Sequence, residues 1–184
     1  MDNAACGHQP FLEGENIVLR AIGLSDVTEE YQAWMNDAEV TRFLESRFFP
    51  HTKERLQEYV ERLSRDPTSV FLAIRRRHDG AHIGNIKLDA INWIHRFADI
   101  GLLIGDRSSW GKGYGTEAVR LVVTYAFQTL NLHKINAGCY STNESSIRVF
   151  KKAGFIEEGR CPQHFFCEGT YVDYVLLSMI NSTA

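Results

Sequence analysis

The residues best suited to chemistry are alternating glycines at the start of a helix. Residues 110–115 read Trp-Gly-Lys-Gly-Tyr-Gly, between an apolar run at 98–105 and apolar residues at helical spacing. The first turn of a helix has N–H groups without an intrahelical partner, and the helix dipole adds partial positive charge there. Glycines let a ligand approach the backbone, and Lys112 adds a full charge. The pattern predicts a phosphate site, or else only a tight strand-to-helix turn.

Two common phosphate motifs do not fit. A Walker loop needs Ser or Thr after its lysine, but Lys112 is followed by Gly113, and the dinucleotide fingerprint has wider glycine spacing. The loop resembles instead the acyl-CoA pyrophosphate loop of the GNAT acetyltransferases, Gln/Arg-x-x-Gly-x-Gly/Ala, with Trp110, Gly113 and Gly115 in the fixed places. Trp110 departs from the usual first residue. The string from Trp110 to Ala118 is similar to the RimJ/RimL-type branch, named for ribosomal-protein N-terminal acetyltransferases.

A second segment, residues 143–155, supports the same resemblance. By itself it predicts a short amphipathic helix that begins at Asn143 and ends at Gly154. It resembles the second GNAT signature, Asn-x-x-Ala/Ser-x-x-x-Tyr-x-x-x-Gly-Phe, whose asparagine contacts the pantetheine arm. Phe150 stands where many members have the tyrosine that protonates the departing thiolate. Ser146 matches a serine that RimL-type proteins are proposed to use instead, or it is an ordinary first-turn residue.

The rest of the chain must supply the elements that position these two segments. The resemblance implies an α/β (α+β) GNAT fold, with a mixed central sheet of about seven strands, about four helices and a splayed parallel strand pair at Ala98–Ile104 and Lys134–Tyr140. Hydrophobic periodicity predicts strands at 16–22, 70–74, 82–88, 98–104, 134–140, 156–160 and 171–179, and helices at 27–36, 52–64, from 115 onward and at 143–153.

Transfer of an acetyl group to an amine needs a base, because an amine with a pKa of roughly 10 is protonated at neutral pH. The resemblance points to Glu158, after the Gly-Phe step, and to Asp99, at the start of the splayed strand, with Glu158 favoured. Asp173, in the closing strand, either serves the site or anchors a loop through hydrogen bonds.

The resemblance also implies acetyl-CoA as cofactor and an acceptor wall built by the first helices. An aromatic stretch follows the first strand and is expected to be mostly core: Tyr31, Trp34, Phe43, Phe48 and Phe49. Trp34 and Phe43 are also expected to contact the acceptor, together with Asp173. Trp93 and His95 either line the acceptor site or pack their loop. The expected cofactor-binding residues are Leu103, Ile104, Trp110, Gly111, Lys112, Gly113, Tyr114, Gly115, Thr116, Asn143, Ser146 and Phe150.

Composition and charge indicate the number of domains, the classes of partner and the cellular compartment. With 184 residues and 44% hydrophobic content we expect one domain, at 11–184, after a loose N-terminus at 1–10. A formal net charge of -3 argues against general nucleic-acid affinity. The four cysteines have no metal-ligand spacing, so we expect reduced thiols and no metal. Without a membrane-length apolar run or a signal peptide, we expect a cytoplasmic protein with no membrane partner, and a homodimer stays open.

Two functions of different class follow. The first is an acetyl-CoA-dependent N-acetyltransferase that acts on a primary amine. The aromatic stretch favours a small molecule such as an amino sugar or nucleotide sugar over a protein N-terminus. The second is a catalytically silent acyl-CoA-binding module, suggested by Phe150. The carboxylates favour the enzyme.

Overall fold

The computed structural model describes residues 9–182 and folds them into one mixed β-sheet with four α-helices. The predicted fold class is confirmed, with eight strands in place of about seven. The expected loose N-terminus, residues 1–10, lies outside the described residues except for its last two positions. The elements are β1 (Leu12–Glu13), β2 (Ile17–Ala21), α1 (Glu29–Asn36), α2 (Lys53–Arg65), β3 (Val70–Arg76), β4 (His82–Asn92), β5 (Phe97–Ile104), α3 (Tyr114–Gln128), β6 (Lys134–Tyr140), α4 (Glu144–Ala153), β7 (Ile156–Cys167) and β8 (Thr170–Ile180).

The sheet has one parallel strand pair. The strands lie in the order β1-β2-β3-β4-β5-β6-β8-β7, and all neighbours are antiparallel except β5 and β6. Parallel neighbours need a crossover connection, and α3 provides it. The glycine loop therefore lies at the carboxyl end of β5, where α3 begins.

Each face of the sheet carries its own hydrophobic core. On one face, Leu72 and Ile74 pack in the same buried cluster as Val119 and Val122 of α3. The intervening Ala73 faces the other side, where it packs with residues of α1 and α2. Because successive side chains of a strand point to opposite faces, the two helix pairs cover opposite faces of the sheet.

Side-chain caps fix the helix boundaries close to the predicted positions. Thr28 accepts a hydrogen bond from the Tyr31 amide, and Thr52 accepts one from the Arg55 amide. At the end of α4, Gly154 adopts φ 110°, a left-handed conformation that glycine takes without strain. The helix predicted from residue 27 begins two positions later, at Glu29, because residues 24–26 form a 3₁₀ turn ahead of the Thr28 cap.

The sequence prediction was wrong in two places beyond the helices. The expected loop at 161–170 is mostly strand, because β7 runs through a register irregularity to Cys167. The aromatic stretch at 43–49 is not mainly core, since Phe48 and Phe49 are 53% and 63% exposed on a 3₁₀ turn. Both segments lie at one edge of the parallel strand pair, where they contact each other: Arg47 Nη2 donates to the Phe166 carbonyl at 2.7 Å.

A buried carboxylate ties the chain ahead of α1 to the sheet. Asp26 is fully buried, and Arg20 of β2 and Arg75 of β3 both donate to its Oδ1. The Gly23 amide donates to Oδ2 at 2.9 Å. Buried charge is tolerated only with such partners, so this cluster fixes the segment that leads into α1.

Replacing Asp26 should therefore destabilise the fold strongly. Asp26→Ala is expected to lower the free energy of unfolding by about 3–5 kcal/mol, because it leaves two partly buried arginines uncompensated. Urea denaturation measures the difference. Glu13→Ala, which removes the exposed partner of Arg77, should cost less than about 1 kcal/mol. Equally small losses in the two variants would contradict the role given to Asp26.

Candidate active site

The central feature of the site is a gap between β5 and β6. Within the described residues their pairing ends at Asp99 opposite Asn136, after three pairs, although β5 continues to Ile104 and β6 to Tyr140. Both strands stay paired with their outer neighbours over these segments. Alternate backbone N–H and C=O groups of the parted segments therefore face the gap. This confirms the predicted splayed pair and provides a place where an extended ligand can lie like a missing strand.

The glycine loop opens onto the carboxyl end of this gap. Gly113 caps α3 in the left-handed region at φ 89°, and a Cβ there would meet no atom within 4 Å. The first amide of α3 with a helical hydrogen bond is that of Glu117, which donates to the Gly113 carbonyl at 3.1 Å. The preceding amides, of Tyr114, Gly115 and Thr116, are the helix-start donors that have no intrahelical partner. Beside the exposed Lys112, they form an anion-binding geometry.

Two residues of the loop have packing roles. The Trp110 indole Nε1 donates to the Ile104 carbonyl at 2.8 Å, and the Arg107 guanidinium lies 5.8 Å from the ring centroid. Trp110 thus anchors the loop to the end of β5. Gly115 is buried, and a Cβ there would lie 3.1 Å from Leu102 Cδ2, so its missing side chain allows α3 to pack on β5.

The start of α4 lies on the same face of the sheet. Asn143 Oδ1 accepts from the Ser146 amide at 3.2 Å and from Ser145 Oγ at 3.0 Å, which confirms its predicted position at the helix start. The Cys139 thiol of β6 donates to Ser146 Oγ at 3.4 Å, and burial raises the pKa of that thiol. Phe150 is only 3% exposed and packs edge-on against Phe155, so it belongs to the core.

The opposite face carries a carboxylate at the point where the strands part. Asp99 is exposed, and its Oδ1 accepts from Asn136 Nδ2 at 3.3 Å. Tyr174 of β8 leans over Gly138, since a Cβ on Gly138 would lie 2.4 Å from the Tyr174 hydroxyl. Burial, and next the charge of Asp99, raise the pKa of Tyr174, so its hydroxyl keeps its proton. The Asp99 carboxylate and the Tyr174 phenol thus lie on the same face, near the point where the gap begins.

The other predicted carboxylates are already engaged. Both oxygens of Glu158 accept from Lys134 Nζ at 2.8 Å, and this contact lowers the pKa of Glu158. Lys134 lies in the closed part of the strand pair. Asp173 Oδ1 accepts from the Gln163 amide at 3.1 Å, which matches the loop-anchoring alternative for this residue.

A cavity of about 370 Å³ lies on the acceptor face, the face that carries Asp99, α1 and α2. It reaches Gly101 and Leu103 of β5. Tyr31 and Met35 of α1 line it, whereas Trp34 is 7% exposed and packs against His82. Trp34 therefore has a packing role in place of the expected acceptor contact.

Of the remaining predicted acceptor contacts, one lies beside the gap and two lie away from it. Phe43 lies over Tyr140 of β6, with ring centroids 5.7 Å apart, beside the open part of the gap. Trp93 and His95 lie in the turn between β4 and β5, ahead of the paired residues that close the gap. The structure thus brings Phe43 to the gap and separates Trp93 and His95 from it.

Sequence reasoning missed several polar residues on the acceptor face. Asn85 and Lys87 of β4 and Tyr59 of α2 line the cavity. A signal existed in β4, where Asn85, Lys87 and Asp89 alternate with apolar residues. That pattern predicts one polar face, but not that the face closes a cavity.

Comparison with known proteins gives a consistent result. A family model described as "Acetyltransferase (GNAT) domain" matches residues 16–156. The chain is 34% identical over 177 residues to the Bacillus subtilis (strain 168) protein YjcK, named "Probable N-acetyltransferase", covering 92% of this chain and 97% of that protein. It is 37% identical over 93 residues to spermidine N(1)-acetyltransferase of Escherichia coli (strain K12), covering 50% of each. The solved spermidine N-acetyltransferase of Vibrio cholerae in complex with CoA and spermine matches with TM-score 0.83 and 25% identity, over 92% of this chain and 98% of that chain.

The loop geometry predicts how CoA affinity responds to charge. Lys112→Glu should weaken CoA binding by about 10-fold or more, because it reverses a charge beside the free amides of α3 without touching the core. Titration calorimetry at low and high salt measures the loss, which should shrink as salt screens it. Lys53→Glu makes the same charge change on an exposed residue of α2 and should leave CoA affinity unchanged. Equal effects of the two variants would remove the phosphate role of the loop.

Proposed function

Because this chain belongs to the GNAT acetyltransferase family and is an N-acetyltransferase that uses acetyl-CoA, we propose that it acetylates the primary amine of a small molecule. The observation that carries the proposal is the cavity of about 370 Å³ that reaches Gly101 at the gap. Pockets of roughly 300–1,000 Å³ are typical of small-molecule sites, whereas a peptide needs an open groove. The alternative of a catalytically silent module is not retained.

The proposed cofactor contacts follow from groups that need a partner. Acetyl-CoA supplies an acetyl group already activated as a thioester. The amides of Tyr114, Gly115 and Thr116, with Lys112, are placed for its pyrophosphate. The unpaired backbone groups near Leu103 and the side-chain amide of Asn143 are placed for the pantetheine arm. The open space at Gly113 leaves the approach to these donors clear.

Asp99 is the proposed base. It is exposed on the acceptor face at the residue where the strands part, so its carboxylate can take a proton from an amine beside the gap. Glu158, the carboxylate favoured from the sequence, is neutralised by Lys134 at the closed end of the pair. The position of Asp99 therefore supports it over Glu158.

Two hydroxyls are candidates for assisting the departing thiolate. Ser146 Oγ accepts a hydrogen bond from the Cys139 thiol, so the hydroxyl proton of Ser146 is free to be donated. Ser146 lies on the face of the sheet that carries α3 and α4. The Tyr174 hydroxyl lies over Gly138 on the acceptor face. Because a thiol with a pKa near 8.5 is a fair leaving group, neither hydroxyl needs to be essential. We assign this role to Ser146 and a role in orienting the amine to Tyr174.

The base assignment predicts a large kinetic effect at one carboxylate. Asp99→Asn should lower kcat/KM for the amine by roughly 10²–10⁴-fold, the range for removal of a general base. Glu158→Gln should have a much smaller effect, and the CoA affinity of both variants should match that of the wild type. Steady-state kinetics with thiol detection compares them. If the large loss appears in Glu158→Gln and not in Asp99→Asn, the base is Glu158.

An acceptor panel tests the substrate class. Amino sugars, nucleotide-sugar amines, amino acids, polyamines and N-terminal peptides would each be mixed with acetyl-CoA, and release of free thiol would be followed. We expect small amines to react and peptides to fail, because the cavity lined by α1 and α2 has the volume of a small-molecule site. The RimJ/RimL-like loop string supports a protein N-terminus as the second candidate. Efficient turnover of peptides with inert small amines would establish that candidate instead.

A further inference from the structure

The floor of the cavity is one face of β4. Asn85 and Lys87 are two residues apart, so their side chains point to the same face of the strand, and both line the cavity. In the sheet register Asn85 lies opposite Leu103 and Lys87 opposite Gly101. The floor therefore presents an amide and an ammonium directly beside the parted segment of β5.

The orientation of the Asn85 amide follows from its neighbours. His82 Nε2 lies 3.0 Å from the Gly84 carbonyl and 2.9 Å from Asn85 Oδ1. Because a carbonyl can only accept, Nε2 carries the proton, and Asn85 must present its oxygen to the ring. Burial lowers the pKa of His82, which keeps the ring neutral. The NH₂ group of Asn85 is consequently turned away from His82.

That NH₂ group has no hydrogen-bond partner even though Asn85 is buried, with only 4% of its surface exposed. Asn85 Nδ2 is fully buried, and no described residue accepts a hydrogen bond from it. Buried donors in native proteins are almost always paired, since leaving one unpaired costs stability. An unpaired amide in the floor of a cavity indicates that a ligand atom with a lone pair completes it.

The neighbouring ammonium restricts the ligand further. Burial alone would lower the pKa of Lys87, but its interactions with Asp89 and Tyr59 together outweigh burial, and the pKa is raised. Lys87 is thus charged, between Asp89 and the Tyr59 ring, whose centroid is 5.9 Å away. At the rim of the cavity Glu45 and Arg55 offset each other in charge. Asp89 takes only one of the three N–H groups of the Lys87 ammonium, so the floor offers hydrogen-bond donors from an amide and from an ammonium, and an anionic group can accept from both.

From these contacts we infer that the acceptor is a small amine that also carries an anionic group, a carboxylate or a phosphate, bound by Asn85 Nδ2 and Lys87. This inference rests on the proposed function, in which the amine faces Asp99. Asp99 and Gly101 are two residues apart on β5 and therefore lie on the same face, about 7 Å from each other. Amine and anion would then be a few bonds apart, as in an amino acid or a phosphorylated amine. A polyamine has no group that can accept a hydrogen bond from these donors at neutral pH.

Matched pairs of acceptors test the inference. Amino acids would be compared with their carboxamides, phosphoethanolamine with ethanolamine, and all with spermidine. We expect the anionic member of a pair to have a kcat/KM at least about 10-fold higher, and Lys87→Met to remove that advantage. Asn85→Ala should act in the same direction, since His82 keeps the Gly84 carbonyl as its partner. Lys152→Met deletes an ammonium from the exposed end of α4 and should preserve the preference. Preference for carboxamides, ethanolamine or spermidine would overturn the inference.

A binding measurement separates this inference from the proposed transfer. Thermal stabilisation would be recorded with N-acetyl amino acids and their amides in the presence of CoA. One outcome is that the N-acetyl amino acids stabilise the protein, Lys87→Met abolishes this stabilisation, and no amine is turned over. That outcome would uphold the anion site and reject the proposed acetyl transfer to a small molecule. Turnover that favours uncharged amines would do the reverse. Equal or absent stabilisation by the two forms would overturn the anion site.

Discussion

The parallel strands β5 and β6 part after three residue pairs, which leaves backbone N–H and C=O groups of both strands without partners in the sheet. Contacts elsewhere in the molecule hold the two strands apart. The outer ladders hold the parted segments in place, because β5 stays paired with β4 as far as Ile104 and β6 with β8 as far as Tyr140. Tyr174 adds a steric contribution, since its ring lies against Gly138 where any other residue would place a side chain. The gap is thus built into the sheet, with backbone donors and acceptors that face the place where an extended ligand can lie.

The sheet that contains this gap also divides the chemistry between its two faces. On one face the glycine loop and the start of α4 offer amides and Lys112 to an anionic cofactor arm. On the other face Asp99 and Tyr174 lie beside the cavity under α1 and α2. Because side chains alternate along a strand, neighbouring residues of β5 serve different faces, and the gap is the place where cofactor and acceptor can meet.

The mouth of the acceptor side is shaped by contacts between segments that are far apart in the chain. Tyr140 stacks on Phe165 of β7 at 4.2 Å between ring centroids, and Phe43 also packs against Tyr140. Arg47 lies 5.4 Å from the Tyr140 ring and bonds the Phe166 carbonyl. These contacts explain why residues 43–49 form an exposed aromatic turn and not an extension of the core of α1. They also extend β7, because its outer end packs against this turn.

The sequence by itself determined the elements and motifs whose causes are local. These features depend on neighbours within a few positions: helix caps, hydrophobic periodicity, the glycine segment with its left-handed Gly113, and the segment that begins at Asn143. They located α3, α4, the parted strands and the cofactor loop. Tertiary structure decided which groups remain free for chemistry. Glu158 is engaged by Lys134, Trp34 is buried against His82, and Asp99 is exposed beside Asn136, 37 positions away. The Asn85 amide oxygen is likewise held by His82, in a residue that lines a cavity completed by α1 and α2. Such outcomes depend on which distant side chains meet, and no spacing within one strand or helix encodes that.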